Sequence, residues 1–365
     1  MELLELFKKL IETKSETPDD GGLLDFVQTY LPEFTPVRLD INQTKNLFIY
    51  KKFSEGEHLC FAGHVDIVPA GDNWVTNPYE LVQKDGYLYG RGTQDMKSGL
   101  SAFIQAVSEV KEFQGTLSLL LTSDEEGEAI DGTVKVLEHL KGIDFLPDAV
   151  VVAEPTCEDA FGDALKVGRR GSINGYVTIK GKQGHAAYPE KAINPIHNLA
   201  KVLGDMAGVN IDDGDAFFSP SKFVITDIRS GMEVTNVTPN ELKMMFNVRN
   251  TTLTTQKEVT LFVQKHLSGL DYELELTQGS FPFRTNADSK ILHHIGEAIF
   301  KVTGIKPKHS TAGGTSDARF VAQYGIDVIE FGVKNDTIHA VDERTTKDEL
   351  VGLYEVFCEL IRSWK

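Results

Sequence analysis

His64 and Asp66 stand two residues apart in Gly63-His64-Val65-Asp66, directly after the apolar run Leu59-Cys60-Phe61-Ala62. An imidazole can ligate a metal through one nitrogen while a neighbouring carboxylate accepts the proton of the other and fixes the tautomer. Acidic groups recur in comparable places. Asp95 closes the glycine-punctuated stretch Gly90-Arg91-Gly92-Thr93-Gln94-Asp95, Asp124-Glu125-Glu126 follows the run Leu117–Leu121, and Glu154 follows Ala149–Ala153. His339 lies far down the chain in Asn335-Asp336-Thr337-Ile338-His339. His64, Asp95, Glu126, Glu154 and His339 together offer two histidines and three carboxylates. That donor set suits two zinc ions, each with one histidine and one terminal carboxylate, the third carboxylate bridging. Such a pair activates water and polarises a carbonyl, and the reaction then needs a base that is not a ligand. Glu125, beside Glu126, meets that need.

Read singly, each residue also has an ordinary structural role. A histidine at a strand end can be hydrogen-bonded in the core, Asp124-Glu125-Glu126 can be a solvated loop, and Glu154 before Pro155 can simply end a strand. Recurrence at the ends of several predicted strands, where α/β sheets carry their sites, favours the chemical reading. Spacing alone does not assign the ligands.

Alternating elements must position these groups. The hydrophobic pattern predicts helices near 3–13, 97–111 and 130–141, and strands near 46–51, 58–63, 116–121 and 148–153, an α/β arrangement. From about 172 to 278 the order becomes strand, helix, strand, strand, helix, strand, with helices expected over Ile193–Met206 and Thr254–Leu267; this is the βαββαβ, ferredoxin-like unit. After Pro282 the alternation resumes with helices near 288–302, 316–323 and 346–363 and a strand near 326–331. The expected architecture is therefore α/β: a catalytic domain in two segments, 1–171 and 284–365, with a smaller α+β domain, 172–283, inserted between them.

Composition narrows the partners. A chain of 365 residues with 41% hydrophobic content can bury a substantial core without staples. The net charge of −17 argues against nucleic acid or an anionic membrane as a partner, so an anionic substrate must meet local arginines or metal. Cys60, Cys157 and Cys358 are scattered and odd in number, which fits core residues in a reducing, cytoplasmic compartment. The first residues read as an amphipathic surface helix, and no run of 18 apolar residues predicts a membrane span.

The motifs GHVDIVPAGDNW, YGRGTQDMKSG, TSDEEGEAIDGT, AEPT, GRRGSINGYVTIKGKQGHAAYP and GGTSDARF closely resemble the di-zinc aminoacylase and carboxypeptidase family of metallohydrolases. The resemblance spans nearly the whole chain. It implies a zinc-binding catalytic domain interrupted by a lid or dimerisation domain, and hence a homodimer. Carried over by residue, it implies that His64, Glu126, Glu154 and His339 are terminal ligands of two zinc ions, with Asp95 bridging. Cobalt or manganese are the expected substitutes at such oxygen and nitrogen sites. It implies Glu125 as general acid and base, Asp66 as the catalytic aspartate beside the histidine ligand, and His185 as a lid histidine that reaches the partner's site and stabilises the oxyanion.

The same resemblance implies a small-molecule N-acyl amino acid substrate, N-succinyl-L,L-diaminopimelate foremost, contacted by Arg169, Ser172, Asn236, Arg249, Gly314, Thr315 and Asn335. The alternatives are another N-acyl amino acid, such as acetylornithine, a peptide, or a non-catalytic binding role. Succinyl and amino-acid carboxylates call for bidentate arginines. The segment GGTSDARF departs from the family pattern by alanine at 318, where glycine is common.

Overall fold

The computed structural model describes residues 2–364. The chain divides into two compact units: one is formed by the residues up to Gly168, by Arg284–Ser310 and by the chain from Ser316 onward, the other by Arg169–Phe283 and Thr311–Thr315. Against the expected segmentation the first boundary falls three residues earlier, and Thr311–Thr315 groups with the second unit.

The first unit is built on an eight-stranded mixed sheet in the order Thr35–Arg38, Asn46–Lys52, Thr116–Thr122, His58–His64, Ala149–Val152, Asp327–Glu330, Ala164–Lys166, Lys308–Ser310. Its four central strands, from Thr116–Thr122 to Asp327–Glu330, run parallel. Parallel strands are covered on both faces, which explains their continuous apolar runs. Along His58–His64, Leu59 and Phe61 join the main core with Leu100, Phe103, Ile295, Leu353 and Phe357 from three helices, while the alternate Cys60 and Ala62 are buried on the opposite face.

The N-terminal helix, Leu3–Glu12, is more than a surface element, because Leu6, Phe7, Leu10 and Ile11 are buried at helical spacing. Among the described residues no helix is long and apolar enough to cross a membrane. The three cysteines are free; Cys60 and Cys157 are buried, and Cys358 is half-buried against the core.

A small three-stranded sheet, absent from the sequence expectation, joins Val82–Lys84, Tyr87–Tyr89 and Arg344–Thr346. It sets Arg344 opposite Tyr89 and so brings the segment after His339 beside the segment before Asp95.

The second unit has a four-stranded antiparallel sheet in the order Phe223–Ser230, Glu241–Val248, Ser172–Lys180, Tyr272–Ser280. This is the strand order of the split βαβ, ferredoxin-like unit. Ile173, Val177 and Ile179 face Val259, Val263 and Leu267, so one sheet face is packed against the helix Gln256–His266. Thr255 starts that helix through a capping box with Glu258, two residues after the expected start. The single helix expected over Ile193–Met206 is instead two short pieces, Pro195–Ala200 and Leu203–Met206. Asn194 caps the first, and Val202 leaves helical geometry just before Gly204, a residue with poor helix propensity.

Candidate metal centre

Strand register decides which polar groups meet. His64 pairs with Thr122, and Ala62 pairs with Val152. The parallel strands thus end level with one another, and the residues just beyond them, Asp66, Asp124-Glu125-Glu126 and Glu154, share one edge of the sheet. The remaining two candidates arrive on loops, Asp95 ahead of the helix Lys97–Ser108 and His339 in a left-handed conformation with φ 57°.

The distances bring the predicted set together. His64 Nε2 lies 3.1 Å from Asp95 Oδ1 and 3.7 Å from Glu154 Oε1. His339 Nε2 lies 3.3 Å from Asp95 Oδ2 and 3.0 Å from Glu126 Oε1. Ligand atoms of His64, Asp95 and Glu126 fall within 4.8 Å of one another, as do those of His64, Glu125 and Glu154. Glu125 therefore stands as close to the cluster as a ligand would.

The tautomer of His64 is held differently from the expectation. Its Nδ1 lies 2.9 Å from the main-chain oxygen of Asp66, with the carboxylate Oδ1 further away at 3.5 Å. A carbonyl only accepts, so Nδ1 donates to it, and Nε2 is the nitrogen left to face Asp95 and Glu154. The Asp66 carboxylate is turned toward the acidic loop, where Oδ2 accepts the Glu126 N–H at 3.1 Å.

Electrostatics favour a cation here. Burial would depress the His64 imidazolium, but the Asp66 and Asp95 carboxylates outweigh burial and hold it well above the ordinary histidine value. His339, bonded to Asp95 and Glu126, is pushed up to about 10. Burial would raise Asp95, and the two histidines bonded to it hold it low instead. Burial pushes Glu125 well above the carboxylate range, with His64 opposing and Asp317, Asp95 and Glu126 adding to the rise. Burial and the nearby Asp95 do the same to Glu154. Carboxylates so crowded that protons collect on them and on the histidines are the electrostatic complement of divalent cations. The donor set of imidazole nitrogens and carboxylate oxygens fits zinc.

Several supporting residues carry no signal of their own in the sequence. Glu343 is fully buried and accepts from Gly92, Gln94 and Asp95 N–H groups and from Arg91 Nη1. The Gln94 side chain donates to Asp336 and accepts from the Thr337 N–H. Lys97 is fully buried, gives its ammonium to the carbonyls of Leu10 and Thr13, and is pushed down to about 7 by burial. In the sequence Glu343 lies within Asp342-Glu343-Arg344, which reads as a solvated charge run; only its partners mark it out.

The expected substrate residues are spread over the structure. Asn335, in the first unit, is half-buried and donates its N–H to the Cys157 carbonyl. Within the second unit, Arg169 is buried and donates from Nη1 to the carbonyls of Ala312 and Gly314, and Thr315 is half-buried beside that loop. Ser172 accepts from Asn247 at 2.9 Å, and Arg249 is exposed just past the strand Glu241–Val248. Asn236 is exposed and its carbonyl accepts the Ala186 N–H, which sets it beside His185. His185 itself is exposed, with Nδ1 accepting from the Ala187 N–H at 3.0 Å.

Residues 60–363 match the model of peptidase family M20/M25/M40. The chain is 67% identical over its full length, and over the full length of the relative, to succinyl-diaminopimelate desuccinylase of Sulfurimonas denitrificans. Among solved structures it resembles aminopeptidase PepT from Bacillus cereus, with TM-score 0.82 and 20% identity over 98% of this chain and 97% of that one. A Bacillus subtilis protein described as a dinuclear metal binding peptidase of the M20 family matches with TM-score 0.71 and 18% identity over 98% and 96% of the two chains.

Proposed function

The chain belongs to peptidase family M20/M25/M40, and from that premise we propose that it hydrolyses N-succinyl-L,L-2,6-diaminopimelate to succinate and L,L-2,6-diaminopimelate. The reaction belongs to lysine and meso-diaminopimelate biosynthesis, and the free cysteines suit a cytoplasmic setting. The observation that carries the chemistry is the division of Asp95 between two histidines, Oδ1 toward His64 and Oδ2 toward His339. A carboxylate divided in this way suits a bridging ligand, with His64 and Glu154 as one terminal set and His339 and Glu126 as the other. The substrate assignment rests on full-length likeness to a relative that bears the desuccinylase name.

Two zinc ions held there, with cobalt or manganese as substitutes, would polarise the amide carbonyl and bring the pKa of a bound water toward neutrality. Glu125 takes the proton of the attacking water and returns it to the amine nitrogen as the C–N bond breaks. Its buried, acid-crowded position gives it the proton affinity this shuttle needs. Asp66 orients the His64 ring through its main-chain oxygen and the Glu126 backbone through its carboxylate.

His185 serves the oxyanion of a partner subunit. Because its Nδ1 accepts from Ala187, the proton of the neutral ring sits on Nε2, which is free to donate. Exposed Tyr188, Ile193 and Ile196 in the same unit are apolar surface that a second copy would cover, which supports a homodimer through this unit. Exposed Arg249 is the guanidinium offered to a substrate carboxylate, while Arg169 holds the loop carrying Gly314 and Thr315. Ser172 and Asn236 of the second unit and Asn335 of the first are the remaining polar side chains assigned to the substrate.

The test is release of a primary amine from N-succinyl-L,L-diaminopimelate by zinc-loaded protein, alongside N-acetylornithine, a dipeptide and a chelated sample. Turnover of the succinyl substrate alone, lost on chelation, is expected. Turnover only of acetylornithine or the dipeptide would overturn the substrate, and no metal-dependent turnover of any would overturn the chemistry.

A further inference from the structure

Asp95 and His339 sit on segments far apart in the chain, and their mutual position depends on how those segments are tied. Both ties pass through residues outside the ligand set. The Glu343 carboxylate is the first. Its Oε1 accepts from the N–H groups of Gln94 at 2.7 Å and Asp95 at 3.0 Å, and its Oε2 accepts from Gly92 N–H and Arg91 Nη1 at 2.9 and 2.8 Å. Every partner is a donor, so the group acts as a carboxylate gathering the turn that ends at Asp95. Its main-chain oxygen also accepts the Gly90 N–H, continuing the pairing of Arg344 with Tyr89.

Gln94 is the second tie. Its side-chain amide donates to Asp336 Oδ1 at 2.8 Å and accepts the Thr337 N–H at 2.9 Å, across 242 and 243 residues of chain. The turn bearing Asp95 is thereby held to the loop bearing His339 from both sides of that histidine, at 336–337 and at 343.

We propose that Glu343 is a positioning residue that, with Gln94, clamps the Asp95 turn to the His339 loop and so sets the distance between two ligands of one metal ion. This rests on the reading of Asp95 and His339 as metal ligands. Acting through hydrogen bonds to the backbone of the ligand-bearing turn, Glu343 would influence metal affinity as outer groups of metal sites do, about 10- to 100-fold.

The test is titration of metal-free protein with cobalt(II), read by its visible absorption, together with thermal unfolding of the metal-free forms. Glu343→Gln is the main variant, because its amide nitrogen would oppose donors where an oxygen now accepts. Gln94→Met is the second, because it severs the tie to 336–337 without leaving a buried charge unpaired. Ile295→Ala, in the core helix Lys290–Thr303, is a destabilised control, and Asp95→Ala is the reference for loss of a ligand.

Both Glu343→Gln and Gln94→Met are expected to weaken one cobalt site by about 10-fold or more and to alter its spectrum, while Ile295→Ala binds as wild type. If Asp95→Ala weakens binding but Glu343→Gln and Gln94→Met bind normally, the clamp is wrong and the ligand assignment survives. If Asp95→Ala itself binds normally, the ligand assignment fails and the clamp with it. Should Glu343→Gln not fold, Gln94→Met decides alone: normal binding overturns the proposal.

Discussion

The main-chain oxygen of Asp66 lies 2.9 Å from Nδ1 of His64, closer than the Asp66 carboxylate at 3.5 Å. The imidazole of His64 is thus tied to the backbone, and the carboxylate is free to hold the Glu126 N–H. Asp66→Asn keeps the backbone bond and an oxygen for Glu126, so we expect it to retain most of its metal. Asp66→Ala loses the second contact and should lower metal affinity or kcat/KM by about 10- to 100-fold. Metal content after dialysis and steady-state rates compare the two; equal, severe loss in both would mean that the negative charge is what matters.

Glu125, proposed above as the proton shuttle, has a carboxylate oxygen within 4.8 Å of ligand atoms of His64 and Glu154. Glu125→Gln should retain both metal ions and lower kcat by about 100- to 10,000-fold, the range for loss of a general acid–base group. Glu126→Ala should instead lose metal. A Glu125→Gln protein deficient in metal would make Glu125 a ligand.

If His185 acts in a partner's site, as proposed, two inactive variants should complement each other. Glu125→Ala and His185→Ala homodimers, unfolded and refolded together at equal concentration, are expected to recover roughly a quarter of wild-type activity, since half the dimers are mixed and each has one complete site. No recovery, in a mixture shown to exchange subunits, would confine His185 to its own chain.

Gly99 lies where the helix Lys97–Ser108 passes the end of the strand that leads to Glu154, and a Cβ there would overlap the Ala153 carbonyl oxygen. Gly99→Ala should cost about 1–3 kcal/mol of stability by overpacking and displace Glu154 with the strand end. Denaturant unfolding of the metal-free form and zinc affinity should fall together; an unchanged midpoint would show that the helix can shift freely.

His58 opens the strand that ends at His64, buried with Nε2 2.7 Å from Ser118 Oγ, and burial pushes it down to about 4. Between about pH 6.5 and 4 the unfolded chain binds a proton that the folded one refuses, so stability rises with pH in that window and is lost as pH falls through it. The contribution is at most about 3 kcal/mol. His58→Asn should flatten that part of the stability–pH curve for metal-free protein, measured by denaturant midpoints against wild type. Parallel curves for the two would assign the acid sensitivity to carboxylates instead.

The elements legible in the sequence were those with a strong burial period. Leu59–Ala62, Leu117–Leu121 and Ala149–Ala153 are apolar runs because both faces of a central parallel strand are covered, and each strand appears within a residue or two of its expected ends. The strands Val82–Lys84, Tyr87–Tyr89 and Arg344–Thr346 were not legible, since strands of three residues with at most one buried position each leave almost no hydrophobic pattern. The break between Pro195–Ala200 and Leu203–Met206 was also hidden, because apolar residues continue at helical spacing through it.

By itself the sequence determined which imidazoles and carboxylates stand at the ends of buried strands, because local periodicity reports burial and the polar residue that ends a run reports the sheet edge. Tertiary structure alone decided how they combine. It divided the two oxygens of Asp95 between His64 and His339, gave the His64 proton to a backbone oxygen, and turned Glu343 from an apparent surface charge into the acceptor of four donors. Those relations cross as many as 252 residues. They are set by strand order and register, which no local pattern of side chains encodes.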